Sequence, residues 1–175
     1  MAICKVEELN NKVFAERQFI PVPIESVFSF FSDAAHLQAI TPAWLRFQTV
    51  TPLPIQMHEG ATMEHTLRLH NVPIRWVSVI TQWEPPYRFT DFQRSGPFAF
   101  WSHTHEFRAT AQGTEMTDLV TYRVPGGPLG LVLDKLYVRR DLRRIFAFRK
   151  QIIDRLLVPT SVDIAPIEST VKSFS

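Results

Sequence analysis

The sequence has one cysteine, six glycines and a net charge of only +2, and it has no long apolar run. The lone Cys4 cannot form an internal disulfide, which excludes a disulfide-stabilised scaffold. No segment approaches the roughly 20 apolar residues of a membrane-spanning helix, and the first residues lack the apolar core of a signal peptide. The small net charge argues against a nucleic-acid partner. Together these deficits predict a cytoplasmic protein.

The rest of the composition is that of one folded domain. The chain has 175 residues, of which 45% are hydrophobic, and its mean hydropathy is −0.04. A chain of this size can bury a substantial core. We expect a single domain over residues 13–157, with loosely ordered ends at 1–12 and 158–175, because both ends lack a hydrophobic period.

Residues 98–122 carry the most informative pattern. Their alternate positions combine aromatic and polar side chains, as in two strands joined by a turn around Gly113. Antiparallel pairing about this turn predicts two cross-strand pairs, His105 with Asp118 and Trp101 with Tyr122. A core face would be more aliphatic and a surface face more polar, so the mixture predicts the lining of a cavity.

The other segments predict an antiparallel meander with few helices. A strand over Val13–Ile20 is followed by a helical stripe from Ile24 to Phe31 and by a second short helix over Asp33–Ile40. Short turns then separate strands predicted at 46–51, 61–69, 72–84, 87–95, 99–109 and 114–123.

A long helix predicted from Leu129 to Leu157 has an apolar stripe with Arg149 near its middle. The stripe is formed by Val138, Leu142, Ile145, Phe146, Ile152, Ile153 and Leu156. Because a buried guanidinium is costly unless it is paired, Arg149 either pairs with a carboxylate of the sheet or meets an anionic ligand. Residues 134–155 hold eight Lys or Arg against three Asp. This excess indicates a solvated face or a weak contact with a membrane surface.

The same pairing rule extends to the whole sheet. A turn at His70–Asn71 pairs His65 with Trp76, and a turn near Gly96 pairs Asp91 with His103 and Gln93 with Trp101. The inward face is therefore predicted to be a large apolar surface that carries two His–carboxylate pairs. Its predicted members are His65, Trp76, Ile80, Phe89, Asp91, Gln93, Trp101, His103, His105, Asp118 and Tyr122.

Four stretches resemble the START/Bet v 1-like superfamily, in particular bacterial SRPBCC proteins of the polyketide cyclase/dehydrase-like kind. They are Phe19–Phe47, Trp76–Phe107, Gly113–Gly130 and Ile145–Lys150. The resemblance implies an α+β helix-grip fold, in which a curved seven-stranded antiparallel sheet surrounds a long C-terminal helix and two short helices follow the first strand. It also implies binding of apolar or amphipathic small molecules, with catalysis in only some members and no shared catalytic set.

The predicted partner is therefore a hydrophobic or amphipathic small molecule, held between the sheet and the helix. The predicted ligand-binding residues are His65, Trp76, Ile80, Asp91, Gln93, Trp101, His103, Tyr122, Ile145 and Arg149. One alternative is a cyclase, aromatase or dehydratase in which His105 acts as a general base oriented by Asp118. Another is a lipid or quinone carrier whose basic helix meets an anionic membrane.

Metals and cofactors are predicted to be absent. His103 and His105 are separated by one residue, as in some metal sites, but two such ligands need others. Cross-strand carboxylates more simply satisfy buried imidazoles by hydrogen bonding. The sequence leaves the ligand's identity and the oligomeric state open.

Overall fold

The computed structural model describes residues 11–158. Cys4 and most of both predicted loose ends lie outside the described residues. The first strand begins one residue before its predicted start at Val13, because Lys12 already pairs with Tyr122 in the sheet. Among the described residues, no helix is both long and apolar enough to cross a membrane.

Seven strands form one antiparallel sheet in the order β1-β7-β6-β5-β4-β3-β2. The strands are β1 (Lys12–Ile20), β2 (Gln48–Thr49), β3 (Thr62–Leu69), β4 (Val72–Glu84), β5 (Arg88–Ser95), β6 (Phe100–Thr110) and β7 (Gly113–Arg123). The helices are α1 (Ile24–Ser32), α2 (Ala34–Leu37), α3 (Gly127–Leu133) and α4 (Arg139–Leu157), with a 3₁₀ turn at Ala43–Leu45 and a π-helical turn at Asp134–Val138. This confirms the predicted helix-grip architecture.

The sheet register agrees with the sequence at the pairs that position the site. His65 lies opposite Trp76, and Asp91 lies opposite His103. The β3–β4 turn takes positive φ values of 49° at His70 and 68° at Asn71, as a two-residue hairpin turn of the I′ type requires. The predicted pairs of β6 with β7 are also present, at His105–Asp118 and Trp101–Tyr122.

The predicted pair Gln93–Trp101 does not form in the ladder. The β5–β6 pairing ends one step earlier, at Phe92–Ser102. The Gln93 side chain instead closes the following turn, where its Nε2 donates to Phe98 O at 2.9 Å and its Oε1 accepts from Phe98 N at 3.3 Å. The Gln93 side chain thus hydrogen-bonds the backbone of Phe98 in the turn, and the next β5–β6 residue pair does not form.

The C-terminal helical region begins at Gly127, two residues before the predicted start at Leu129. The α4 stripe is buried at Leu142, Phe146 and Ile153. Leu156 was predicted to belong to that stripe but is 53% exposed. It lies in the last turn of α4, beyond the last buried position. The second short helix is also shorter than predicted, because only Ala34–Leu37 is α-helical.

Two buried clusters join the helices to the sheet. The larger cluster packs α1 and Ile153 against β4 to β7, around Phe28 and Phe89. The smaller cluster packs Leu142 and Phe146 of α4 against β7. Because α4 contributes to both clusters, Arg149, which lies between Phe146 and Ile153, is held close to the inward face of the sheet.

Candidate functional site

A cavity of about 220 Å³ lies between the inward face of the sheet, α4 and the α1–α2 region. Most of its lining is apolar. Nine of the twelve predicted catalytic and ligand-binding residues line it. They are the histidines His65, His103 and His105, the charged residues Asp91 and Arg149, and the apolar residues Trp76, Ile80, Trp101 and Ile145.

Three other predicted site residues have different positions. Gln93 binds the β5–β6 turn, as described above. Tyr122 is 1% exposed, and its hydroxyl donates a 2.6 Å hydrogen bond to Asp134 Oδ1. Asp118 lies behind the two central histidines rather than on the cavity wall. Of these three, only Asp118 contacts the polar part of the cavity.

Asp118 contacts both histidines of β6 through one oxygen. His103 Nε2 hydrogen-bonds Asp118 Oδ1 at 3.0 Å, and His105 Nδ1 lies 2.7 Å from the same oxygen. The second contact has ion-pair distance but lies outside hydrogen-bond geometry. The alternation of β6 places both rings on one face, with their centroids 4.0 Å apart. The register places Asp118 directly opposite His105, and His103 reaches the same carboxylate from the neighbouring position on that face.

A second carboxylate lies on the other side of the same rings. Asp91 Oδ2 is 3.5 Å from His103 Nδ1 and 3.8 Å from His105 Nε2. Asp91 Oδ1 lies 3.5 Å from Ser78 Oγ, which accepts a hydrogen bond from Trp76 Nε1 at 3.1 Å. The two His–carboxylate pairs predicted separately are therefore one cluster, with both imidazoles between two carboxylates.

The pKa values of the two carboxylates, Asp91 and Asp118, are shifted in opposite directions. Burial raises the pKa of Asp91, and the attraction of His103 and Arg149 only partly offsets it. Burial also acts to raise the pKa of Asp118, but the nearby His105 and the hydrogen bond from His103 outweigh it, so that pKa is lowered. Burial, followed by repulsion from His105, lowers the pKa of His103. Asp118 is therefore the fixed anion of the cluster and Asp91 is the better proton acceptor.

Arg149 contacts the cluster only at longer range. Among the described residues, no carboxylate lies within 4.0 Å of its guanidinium, and its buried Nε has no hydrogen-bond partner. Its Cζ lies 5.2 Å from the centre of the Phe146 ring. Burial lowers the pKa of Arg149, while the fields of Asp118 and Asp91 oppose that change. Direct pairing with a sheet carboxylate, one of the two alternatives, is not what the structure shows.

His65 is a second unpartnered polar group on the cavity wall. Its ring lies 4.9 Å from that of Phe47, and its buried Nδ1 has no hydrogen-bond partner among residues 11–158. Burial lowers the pKa of His65 to about 4. His65 is therefore a neutral imidazole at physiological pH, with a free ring nitrogen near the cavity.

Asp91, His103 and His105 also satisfy one geometric condition for a metal site. Each offers one ligand atom, and these atoms lie within 4.8 Å of one another. Asp118 would then orient both rings from behind. One observation argues against a bound cation: the carboxylates of Asp91 and Asp118 already interact with the positive charge of Arg149. The absence of a metal stays a prediction.

Sequence reasoning missed several lining residues. Ser78 lies between Trp76 and Ile80 in the inward alternation of β4, so the period of two could have identified it. Phe98 lines the cavity from the β5–β6 turn, where no period applies. Residues from α1 to the 3₁₀ turn also contribute, and only the packing of those elements on the sheet brings them there.

Comparison with known families and structures gives a family and a fold. A family model described as "Polyketide cyclase / dehydrase and lipid transport" matches residues 12–151. None of the curated protein sequences matches the chain significantly.

Solved structures of similar fold have low sequence identity to this chain. A Thermus thermophilus protein is 18% identical with a TM-score of 0.64, over 81% of this chain and 97% of that one. The major latex-like protein 151 of Panax ginseng is 10% identical with a TM-score of 0.61, over 86% and 99%. The di-domain ARO/CYC protein StfQ of the steffimycin biosynthetic pathway is 13% identical with a TM-score of 0.65, over 88% of this chain and 53% of that one. At these identities the likeness concerns the fold.

Proposed function

We propose that this chain, which belongs to the polyketide cyclase / dehydrase and lipid transport family, binds an amphipathic small molecule in the cavity between its sheet and α4. The observation that carries the proposal is a pair of polar atoms, Arg149 Nε and His65 Nδ1, that have no hydrogen-bond partner within residues 11–158 and belong to residues that line a mostly apolar cavity. Buried polar groups in proteins almost always have hydrogen-bond partners. A ligand with an apolar body and a polar end supplies them.

The size of the cavity limits the ligand. An engineered apolar cavity of ~150 Å³ binds benzene, and this cavity measures about 220 Å³. We expect a ligand of one or two fused rings, or a short acyl chain of similar volume. Trp76 and Trp101, whose ring centroids lie 5.1 Å apart in an edge-to-face arrangement, provide aromatic contact for its body.

The charges around the cavity favour a polar end that carries an oxygen but no full negative charge. Arg149 lies in the field of two carboxylates, Asp91 and Asp118. A ligand anion beside an ionised Asp91 would be repelled, whereas a hydroxyl or carbonyl oxygen accepts a hydrogen bond from Arg149 without that repulsion. Protonation of Asp91, whose pKa is raised, would relax this preference.

The first test is native mass spectrometry of freshly purified protein, with the bound mass identified after denaturation. The second test compares two probes of similar size, neutral 1-naphthol and anionic 1-naphthoate. We expect 1-naphthol to bind more tightly at neutral pH and 1-naphthoate to gain affinity as the pH falls through the raised pKa of Asp91. Asp91→Asn should remove most of that pH dependence, and the exposed control Glu59→Gln should leave it unchanged. Absence of binding by either probe, together with no co-purified ligand, would reject the proposal.

A second candidate function is acid–base catalysis in the same cavity. It is favoured by the opposite pKa directions of Asp91 and Asp118 around two shared imidazoles, because such pairs provide a proton donor and a fixed anion. His105 would transfer the proton and Asp118 would orient the ring, as in a cyclisation or dehydration. Once a ligand is identified, His105→Gln should abolish turnover while binding persists. If this change leaves turnover unaffected, catalysis by His105 is rejected and ligand binding remains as the proposed function.

A further inference from the structure

The segment after β7 exposes apolar side chains to an unusual extent. Six large apolar residues within nine positions are between 39% and 65% exposed. They form the apolar patch, defined as Leu129, Leu131, Val132, Leu133, Leu136 and Tyr137. Soluble monomers rarely leave a large apolar surface uncovered without a binding role.

The polarity of this segment is inverted relative to an ordinary surface helix. Its buried contacts with the domain are made by Gly130 and by Asp134, which is 3% exposed. Asp134 accepts hydrogen bonds from the Tyr122 hydroxyl at 2.6 Å and from Arg139 Nε at 2.9 Å. A Cβ at Gly130 would lie 2.5 Å from Pro125 O, so this face packs closely on the chain. Asp134 therefore holds this segment to the domain, and the leucine side chains of the segment are exposed.

Exposed charge next to the patch is of one sign. Lys135, Arg139, Arg140, Arg143 and Arg144 are all exposed. The two acids of the same stretch are buried, Asp134 in the contacts above and Asp141 in a 2.7 Å pair with His70. The patch therefore has a basic rim without an exposed anion between residues 129 and 145.

We propose that the apolar patch and its basic rim dock this protein on an anionic lipid bilayer. Leucine side chains enter the interface while the rim contacts the lipid phosphates. A second copy of the chain fits this surface less well, because a symmetric contact would bring two basic rims together. Charge complementarity therefore selects the bilayer over a dimer.

The patch lies next to one end of the cavity. Tyr137 packs on His70 of the β3–β4 turn at 5.2 Å between ring centroids. The neighbouring residues Leu69, Val138 and Asp141 line the cavity. If the proposed ligand binding is correct, docking would bring this end of the cavity to the membrane, where apolar ligands dissolve. The docking itself does not depend on that binding.

The test is co-sedimentation of the full chain with vesicles of phosphatidylcholine alone and of phosphatidylcholine mixed with phosphatidylglycerol. We expect binding to the anionic vesicles only, and weaker binding at high salt. Leu131→Ser with Leu136→Ser should lower the affinity about 30-fold or more. The matched control, Val13→Ser with Tyr87→Ser, changes residues that are 65% and 62% exposed elsewhere and should not alter it.

A second pair of variants tests the rim. Arg140→Gln with Arg143→Gln should lower the affinity about 30-fold, since each cation contributes about fivefold at an anionic surface. Arg17→Gln with Arg155→Gln makes the same charge change elsewhere and should have little effect. Binding of 1-naphthol to the leucine variant without vesicles distinguishes failed docking from a failed cavity. The proposal is overturned if the leucine variant binds vesicles like the wild type, or if the wild type is a dimer that only the leucine changes dissociate.

Discussion

Asp118 Oδ1 lies 2.7 Å from His105 Nδ1 across the β6–β7 ladder, at the centre of the buried cluster. The same oxygen also accepts the hydrogen bond of His103. One carboxylate oxygen therefore sets the orientation of two imidazoles, and the cluster responds as a unit to changes at that oxygen.

Asp118→Asn should keep the shape of the cluster but remove its fixed negative charge. We expect a loss of ~1–3 kcal/mol in the free energy of unfolding at neutral pH, measured by urea denaturation. The pKa of Asp118 is lowered from its ordinary 3.8, so its contribution is present above that pH and lost below it. The difference between variant and wild type should therefore shrink as the pH falls below that value. The exposed Glu115→Gln is the control and should cost less; equal losses would contradict the prediction.

Arg149→Leu should leave the protein folded and weaken ligand binding. No described carboxylate lies within ion-pair distance of Arg149, so removing the guanidinium orphans no direct partner, and the stability should change by less than about 1 kcal/mol. The loss of a charged donor should lower the 1-naphthol affinity about 10- to 100-fold, measured by calorimetry. The control Arg155→Leu, on the exposed face of α4, should change neither the stability nor the affinity for 1-naphthol. Unchanged affinity in Arg149→Leu would show that the ligand does not contact this residue.

His65 should make stability depend on pH in the acid range. Its pKa is lowered from 6.5 to about 4, so between these values the unfolded chain binds a proton that the folded chain does not. Its contribution is full above pH 6.5 and is lost as the pH falls to about 4, by up to about 3 kcal/mol. Urea denaturation of His65→Gln across this range should show a shallower pH dependence than the wild type, whereas the exposed His58→Gln should follow the wild type. Parallel curves for His65→Gln and the wild type would refute this assignment.

Tyr122→Phe separates a structural role from a ligand-binding role. Loss of the hydrogen bond to the buried Asp134 should cost ~1–3 kcal/mol, and hydrogen exchange in residues 127–138 should accelerate. The affinity for 1-naphthol should not change, because Tyr122 is not among the residues that line the cavity. Tyr87→Phe, at an exposed tyrosine, is the control. A large loss of probe affinity in Tyr122→Phe would instead support the role predicted from the sequence.

The sequence by itself determined the fold class and most of the strand register. Alternation with a period of two and short turns are local properties, so the pairs His105–Asp118 and Asp91–His103 followed from counting residues about two turns. The prediction failed at Gln93, where a side chain replaced a ladder step, and at Leu156, where the helix passes its last buried position. Both failures lie at the ends of elements, where local period no longer decides the contacts.

Only the tertiary structure decided how separate predictions combine. The curvature of the sheet and the placement of α4 joined two His–carboxylate pairs into one cluster and left Arg149 without a direct partner in the part of the chain that the structure describes. The packing of the fold also brought the Tyr122 hydroxyl to Asp134. This contact buries the carboxylate of Asp134, while the leucines of the same helical segment are exposed. Sequence periodicity specifies which face of an element a residue occupies. The distance between faces of different elements depends on how all side chains pack together, and that packing is a property of the whole fold.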